Sequence, residues 1–320
     1  MARFLVRRLL LSIITLFILL VVVFALTRVF PQDVAKQLAG PFAPQQRVDD
    51  LNEKLGLLDP VSTQFGRLVG DVVTLDFGES YSQPGVKVVD LIRPALWNSA
   101  KLVMLALLIT LPLSILGGIM AARRKDTRLD RAIVSLGLAS ASIPDFVSGV
   151  ILQLLIGVKL GWLPATSSSV PADAGFFTSL RFILLPALAI VLVYFGYIAR
   201  ITRAGAIGVF DSDYARTAYM KGLSPWEVIK KHVLRNALQP TVAVTGTQMG
   251  YLFGGLVGLE RVFNYPGLGN LILRAALAPD LPLLQTGVLT VAVIFMLATL
   301  SSDLLIAWMN PRARLAGGEN

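Results

Sequence analysis

Cysteine is missing from all 320 residues, and histidine occurs once, at His232. The first absence removes disulfides, thiolate catalysis and cysteine-based zinc sites. It leaves the compartment open, since a chain without thiols suits either redox state. His232 sits among basic residues with no second histidine or carboxylate cluster, so it reads as a surface contact. Neither a metal site nor a Ser/His/Asp arrangement is expected. No GxxxxGK(S/T) run occurs, so the chain itself is not expected to bind ATP. Charge is scarce as well: 15% of residues are charged, against roughly 25% in soluble domains.

What is abundant is apolar surface. Hydrophobic residues make up 55% of the chain, and the mean hydropathy is +0.69. One soluble core cannot hide that much, whereas runs of about 20 apolar residues that cross a bilayer account for it. Six spans are predicted: residues 9–29, Trp97 to just before Arg123, Ala132 to Val158, Phe182 to Ile201, Pro240 to Leu259, and Leu284 to Met309. Pro112, Pro144 and Pro186 fall within or beside spans, which membrane helices tolerate when neighbours satisfy the freed carbonyls. Arg3, Arg7 and Arg8 precede the first run as they would in a signal peptide. The run is longer than an h-region of about 7–15 residues, and no small-x-small site follows it before Arg28 and Pro31, so an uncleaved first helix is expected.

The net charge of +9 is spent on topology. Basic residues cluster at Arg3, Arg7 and Arg8, at Arg123, Arg124, Lys125, Arg128 and Arg131, and at the tail residues Arg312 and Arg314. A further cluster holds Arg203, Arg216, Lys221, Lys230, Lys231 and Arg235. Six spans put all of them on one side, which the positive-inside rule makes cytoplasmic, with both termini inside. The acidic, Gly- and Pro-punctuated segment 31–96 then lies outside as a small folded insert. A second outer loop, GWLPATSSSVPADAG, reads as surface.

The segment from Asp211 to Pro240 is too patterned for a plain connector. Tyr214, Ala215, Ala218 and Tyr219 share one helix face. Gly222 should stop that helix. Ser224 as N-cap, Pro225 at the first position and Glu227 completing a capping box start a second one. Its apolar stripe is Trp226, Ile229, Val233 and Leu234, and Lys230, Lys231 and Arg235 sit in its later turns, where the dipole favours cations. The small residues Ala215, Ala218 and Gly222 would allow a protein partner to approach. An amphipathic pair resting on anionic lipid fits the periodicity equally well.

Three further features carry chemistry. Gly246, Gly250, Gly254 and Gly258 bare one face of span five, for close helix packing or for lining a pore. Asp145 lies deep in span three, and an intramembrane carboxylate points to function by default. It either faces a substrate path, drawing an amine or cation, or holds a structural hydrogen bond beside Pro144. Asp303, Arg200 and Arg203 lie toward inner span ends and are expected to form an ion pair.

The segment after span four resembles the coupling motif, often called the EAA loop, of bacterial ATP-binding-cassette (ABC) importer permeases. More narrowly it is similar to the B-type permeases of dipeptide, oligopeptide and nickel importers. That branch shows Y-x-R-T-A-x-x-K-G-L followed by R-N-A-L-x-P. Here stand Tyr214, Arg216, Thr217, Ala218, Lys221, Gly222 and Leu223, then Arg235, Asn236, Ala237, Leu238 and Pro240. The likeness runs nearly the whole chain, through FLVRRLLLSI, KLGLLDP (Lys54 to Pro60), LDFGES (Leu75 to Ser80), SIPDF (Ser142 to Phe146), Leu184 to Ile190, ERVFNYPGLG (Glu260 to Gly269) and DLLIAWMNPRARL (Asp303 to Leu315). The chain departs at FPQDV, where the family often has P-G-D-P. It also departs at Asp145, usually a small polar residue, and at Tyr219-Met220, usually a basic-Ala pair.

The resemblance implies an all-α integral membrane fold with six transmembrane helices of the type I ABC importer kind. It implies an N-terminal helix over 1–30, an extracytoplasmic segment 31–96, a permease core 97–309 with a coupling loop 203–239, and a tail 310–320. It implies a bacterial inner-membrane permease forming half of a pathway for a peptide-like substrate. Related permeases serve dipeptides, oligopeptides, nickel chelates, glutathione and sugars alike. Tyr214, Ala215, Arg216, Thr217, Ala218, Lys221, Gly222 and Leu223 would couple to the ATPase. Partners would be a second permease, two cytoplasmic ATPases, an extracytoplasmic binding protein and lipid, with no nucleic acid. ATP and magnesium would sit in the ATPases, and this chain would be no enzyme. The alternative is an ion-coupled secondary transporter, which calls for several mid-membrane ionisable residues and repeated halves. Asp145 is the one deep candidate, and no internal repeat is visible. An intramembrane enzyme would need a reactive constellation at membrane depth, and the sequence offers none.

Overall fold

The computed structural model describes residues 2–29, 34–168, 176–230, 234–278 and 280–309. Asp33, Lys231, His232, Val233, residues 169–175 of the second outer loop, and Arg312 and Arg314 lie outside them, as do the side chains of Arg3, Arg7, Arg8, Arg235 and Asn236. The helices in chain order are α1 (Ala2–Val29), α2 (Val34–Ala39), α3 (Gln45–Lys54), α4 (Val61–Thr74), α5 (Val88–Arg123), α6 (Arg128–Ala141) and α7 (Asp145–Leu152). A wider π-type turn over Gln153–Lys159 extends α7. Then come α8 (Phe176–Phe210), α9 (Asp213–Met220), α10 (Pro225–Val228), α11 (Leu234–Val262), α12 (Leu268–Leu277) and α13 (Leu281–Met309).

Among the described residues, five helices are long and apolar enough to cross a membrane, and a bent pair makes up to six. The expected all-α membrane architecture is therefore the one found. The third span is corrected: it is not one helix from Ala132 to Val158 but α6 and α7, bent by 100° at Ser142–Pro144. Pro144 lacks the N–H that would continue α6, and a proline ring disfavours the helical region for the residue before it. Pro144 is extended, with ψ 144°, and α7 starts at the next residue. The five other spans all run longer than read. α5 begins at Val88 and takes the last residues of the 31–96 segment, and α8 continues to Phe210.

The chain forms two units. The larger holds residues 100–265 together with the end of α13. In it α8 packs against α6, α7 and α11. Lipid tails are as apolar as leucine, so helices in a bilayer associate by close packing and polar contacts, not by escape from water. The contacts match. Gly137 of α6 meets Gly196 of α8 backbone to backbone. A Cβ on Gly205 would lie 2.6 Å from Ala237 O of α11, and one on Gly118 of α5 would lie 2.6 Å from Ala199 O. Hydroxyls join the same seams: Ser114 Oγ donates to Phe195 O at 3.1 Å, and Thr202 and Thr241 share a hydrogen bond of 2.9 Å. Pro186 lies inside α8 and leaves the Phe182 carbonyl without its helical donor. Ser167 Oγ supplies one at 2.7 Å, as a spanning helix requires.

The smaller unit holds residues 9–99 and 266–293. The acidic segment read as a folded insert is helical, as α2, α3 and α4. Leu68 of α4 packs with Leu20 of α1 and Leu289 of α13, and Phe65 meets Phe24 edge-on at 5.2 Å. Asp280, fully buried, is the polar hub. Its Oδ2 accepts from Ser80 Oγ, from Ser82 Oγ at 2.7 Å and from Ser82 N–H at 3.1 Å, and its Oδ1 accepts from Leu283 N–H at 3.2 Å. One carboxylate thus ties the segment before α5 to the start of α13. Asn98 Nδ2 donates to Pro266 O at 2.9 Å, and the Leu268 N–H donates to Ser99 Oγ at 2.8 Å, fixing the approach to α12.

The Gly137–Gly196 contact sets a test. Gly196→Val forces the backbones of α6 and α8 apart, and overpacking of this kind costs about 1–3 kcal/mol. Gly208→Val on the same helix meets open space. Thermal unfolding in detergent is expected to fall for the first and stay near wild type for the second.

Candidate functional site

The connection between α8 and α11 spans 211–233, and its described part is built from local rules. Asp213 opens α9 in its first turn, where the helix dipole favours an acid. The helix ends in a left-handed cap: Gly222 has φ +81°, its N–H donates to Tyr219 O at 2.9 Å, and the Leu223 N–H reaches back to Ala218 O at 3.3 Å. That pair of bonds is the Schellman pattern, which places glycine at the left-handed position. Two residues on, Ser224 N–H donates to Glu227 Oε2 at 2.9 Å while Glu227 N–H donates to Ser224 Oγ at 3.3 Å. This is the predicted capping box, and it starts α10. Both caps sit on a turn of four residues, 221–224, so α9 and α10 are held as one piece.

The orientation of α9 refines the sequence reading. At 100° per residue, Tyr214, Ala218, Ala215 and Tyr219 fan across an arc of roughly 140° in that order. The alanines in its middle are buried, and the tyrosines at its margins are exposed. Ala215 and Ala218 pack on Ile119 and Ala122 of α5, Ala206 and Val209 of α8, Val228 and Ile229, and Ala237 of α11. Their small size serves approach to their own chain, not to a partner as expected. The α10 stripe is corrected too. Val228 and Ile229 point inward, while Trp226 is 56% exposed, with Lys230 Nζ 5.3 Å from its ring centroid. Leu234 already belongs to α11 and borders the same cluster. The outward face therefore carries Tyr214, Arg216, Thr217, Met220 (74% exposed), Lys221 and Trp226.

The span-five glycines divide by position. Gly246 is filled by Ser302 and Gly250 by the Phe295 ring, both of α13. A Cβ on Gly258 would lie 3.2 Å from Phe146 Cβ of α7. These three pack helices, as expected of small residues in a bilayer. Gly254 does not: a Cβ there would meet nothing within 4 Å, and the residue is exposed beside exposed Tyr251.

Asp145 is not mid-helix, as a continuous third span would make it. It is the first residue of α7, where its Oδ1 accepts from the Phe146 N–H at 2.8 Å. A Cβ on Gly255 would lie 3.0 Å from its Oδ2. The break at Pro144 thus delivers a half-buried carboxylate against α11, one residue from open Gly254. The structural hydrogen bond is present, and a free edge of the carboxylate remains. Asp145, Gly255 and Gly258 converge. The coupling residues do not join them, because Ala237 and Gly255 are about 27 Å apart along α11.

The expected ion pair has a different partner. Arg203 of α8 does not take Asp303. Its Nε donates to Asp130 Oδ1 at 2.5 Å and its Nη2 to Oδ2 at 2.6 Å. Asp130 also accepts from the Asp126 N–H at 2.9 Å, and Thr127, which caps α6, receives the Asp130 N–H. Arg200 lies over the Tyr197 ring at 5.8 Å. The signal missed was the T-x-x-D pattern at Thr127–Asp130, which marks a helix start and so fixes where Asp130 points.

Bent and unbroken spans around a small-residue seam, with a capped helix pair between two of them, mark a multi-pass membrane protein. The chain matches the family described as binding-protein-dependent transport system inner membrane component over residues 114–315, and its N-terminal companion over 1–88. It belongs to that family. It is 35% identical over 317 residues to the glutathione transport system permease protein of Escherichia coli K12, covering 98% of this chain and 99% of that one. It is 33% identical over 333 residues to the dipeptide transport system permease protein of Alkalihalophilus pseudofirmus, covering 98% and 100%. The chain is thus a permease subunit of an ABC importer, and no finding favours an ion-coupled transporter.

The ion pair yields a second test. Arg203→Met strands a carboxylate that is almost fully buried, and loss of one partner of such a pair costs about 3–5 kcal/mol. Asp130→Leu combined with Arg203→Met is expected to recover more than half of that in thermal unfolding. Equal loss in both would mean the pair itself, not the stranded charge, supplies the stability.

Proposed function

We propose that this chain forms half of an import pathway for a peptide-like substrate and receives its motion from a cytoplasmic ATPase through α9 and α10. The observation that carries this reading is the split of α9 and α10 into an anchored and an exposed face. Ala215, Ala218, Val228 and Ile229 bind them to α5, α8 and α11. Tyr214, Arg216, Met220, Lys221 and Trp226 are left outward. A lipid surface would accept the tryptophan and the lysines, but a doubly capped rigid pair suits a protein that moves it. Force applied to α9 passes to Ala206 and Val209 on α8 and to Ala237 on α11, and along α11 to Gly255 and Asp145. A second permease would complete the path, two ATPases would bind ATP and magnesium, and a binding protein would deliver cargo outside. Both termini would lie in the cytoplasm of a bacterial cell, since the basic loops face inward. The peptide-like cargo rests on the kinship with dipeptide and glutathione permeases. Asp145 and the open strip at Gly254 are the residues proposed to meet it.

Tagged chain extracted from native membranes in mild detergent is expected to bring down a second permease and one or two ATPases. Met220→Glu should lose the ATPases while the variant chain unfolds at the wild-type temperature. Recovery of the chain alone, active in ion-driven uptake after reconstitution, would overturn the assignment. Asp145→Asn is expected to lower substrate-stimulated uptake about tenfold, the scale of one charge-assisted hydrogen bond. Unchanged uptake removes Asp145 from the path.

A further inference from the structure

The smaller unit contains a cavity of about 220 Å³ that no part of the transport reading uses. It is bounded by Phe24 of α1, by Gln64, Arg67 and Asp71 of α4, by Phe77, Glu79 and Tyr81 before α5, and by the first turns of α13.

Its polar groups fall into two sets. The amide and hydroxyl donors of Gln64, Gln285 and Thr286 are turned back into the protein. Gln64 Nε2 gives its hydrogens to Leu57 O at 3.1 Å and Asp59 O at 2.9 Å. Gln285 Nε2 donates to Thr27 Oγ1 at 3.0 Å, and Thr286 Oγ1 to Pro282 O at 2.7 Å. Arg67 gives one N–H to Asp59 and keeps its other N–H groups and its charge at the wall. The acceptors keep capacity. Glu79 Oε2 takes only the Gly85 N–H at 3.0 Å among its described bonds, and a carboxylate has about four lone-pair sites. Asp71 is partly buried, and burial together with the nearby Asp76 carboxylate holds it above the usual carboxylate range, more than Arg67 draws it down. With Asp71 and Glu79 set against Arg67, the cavity carries one negative charge in excess, and it is walled by Phe24, Phe77 and Tyr81, whose ring faces attract cations.

A metal ion fits poorly, because among the described residues no three His, Cys, Asp or Glu side chains are grouped to hold one. An ammonium fits on each count. It carries three donors, no acceptor and one positive charge. The wall is also set in advance. Ser80 and Ser82, on either side of Tyr81, are both bound to buried Asp280, so the Tyr81 backbone does not have to be ordered when a ligand arrives.

We propose that this cavity binds a primary ammonium group on an aliphatic stem. It goes beyond the importer assignment and rests on that reading only for placing the cavity outside the cell. Two sources share the chemistry: the free α-amine of a peptide, and a lysine side chain of a protein docking outside.

The test is calorimetric titration of the purified full chain in lipid nanodiscs with two probe pairs. One pair is triglycine and N-acetyl-triglycine, and the other is Nα-acetyl-lysine amide and its Nε-acetylated form. Saturable binding of a charged member, with its neutral partner at least about tenfold weaker, is expected. Discrimination in the first pair assigns the peptide terminus, and discrimination in the second assigns a lysine side chain. Asp71→Asn and Glu79→Gln should each weaken the charged probe about tenfold. Phe77→Leu, which keeps an apolar wall without the ring face, should weaken it about threefold. Equal binding of charged and neutral members, or no saturable binding of either charged probe to wild type, overturns the proposal. The titration needs no ATPase, so such a failure would leave the importer assignment standing.

Discussion

Close backbone contact along α8 is the constraint on which the larger unit depends. A helix buried among others in a bilayer gains nothing from hiding apolar surface that lipid would cover equally well. What it gains comes from proximity and from polar groups that have nowhere else to go. α8 supplies both. Gly196 and Gly205 let α6 and α11 touch its backbone, and Thr202 and Arg203 sit in the same seams with hydrogen-bonded partners. Even its proline is accommodated, because Ser167 occupies the carbonyl that Pro186 releases. The break in the third span and the anchoring of α9 are both arranged around this helix.

The anchoring explains how a motion of α9 would be carried. The two caps around Gly222 leave the turn between α9 and α10 little freedom, and the buried alanines leave α9 little room to slide. A push on the outward face must move α8 and α11 or fail to move anything. α11 in turn runs without interruption to the level of Gly255, where Asp145 meets it. Rigid segments joined at packed contacts are the usual means of carrying a displacement across a membrane domain.

Much of this was legible in the amino-acid order, because local rules fix local structure. The capping box at Ser224–Glu227 and the stop at Gly222 were both readable, since each depends on a few neighbouring residues. The membrane class followed from composition alone. Other features were not legible, because they depend on residues distant in the chain. The face to which Ala215 and Ala218 belong could be read, but not whether it met its own chain or another. The partner of Arg203 was misassigned because proximity to an inner span end does not say which helix lies beside it. Pro144 was visible, and its ring could have been read either as a tolerated kink or as a break. The 100° bend decided for the break and moved Asp145 from mid-helix to a helix start. Gly254 resembled its three neighbours in spacing, and only the packing of α13 and α7 separated it from them.

The bend at Pro144 also bears on how the chain is made. Helix α6 has 14 residues and is about 21 Å long, short of the roughly 30 Å hydrocarbon core. Neither leg of the bent pair can therefore settle as an ordinary spanning segment when it leaves the ribosome. The partner that completes the charge at Asp130 is Arg203, 73 residues further on. Until α8 has been synthesised, Asp130 lacks its bidentate partner and Gly137 lacks the glycine it rests against. The final packing of α6 and α7 thus depends on a helix that follows them in the chain.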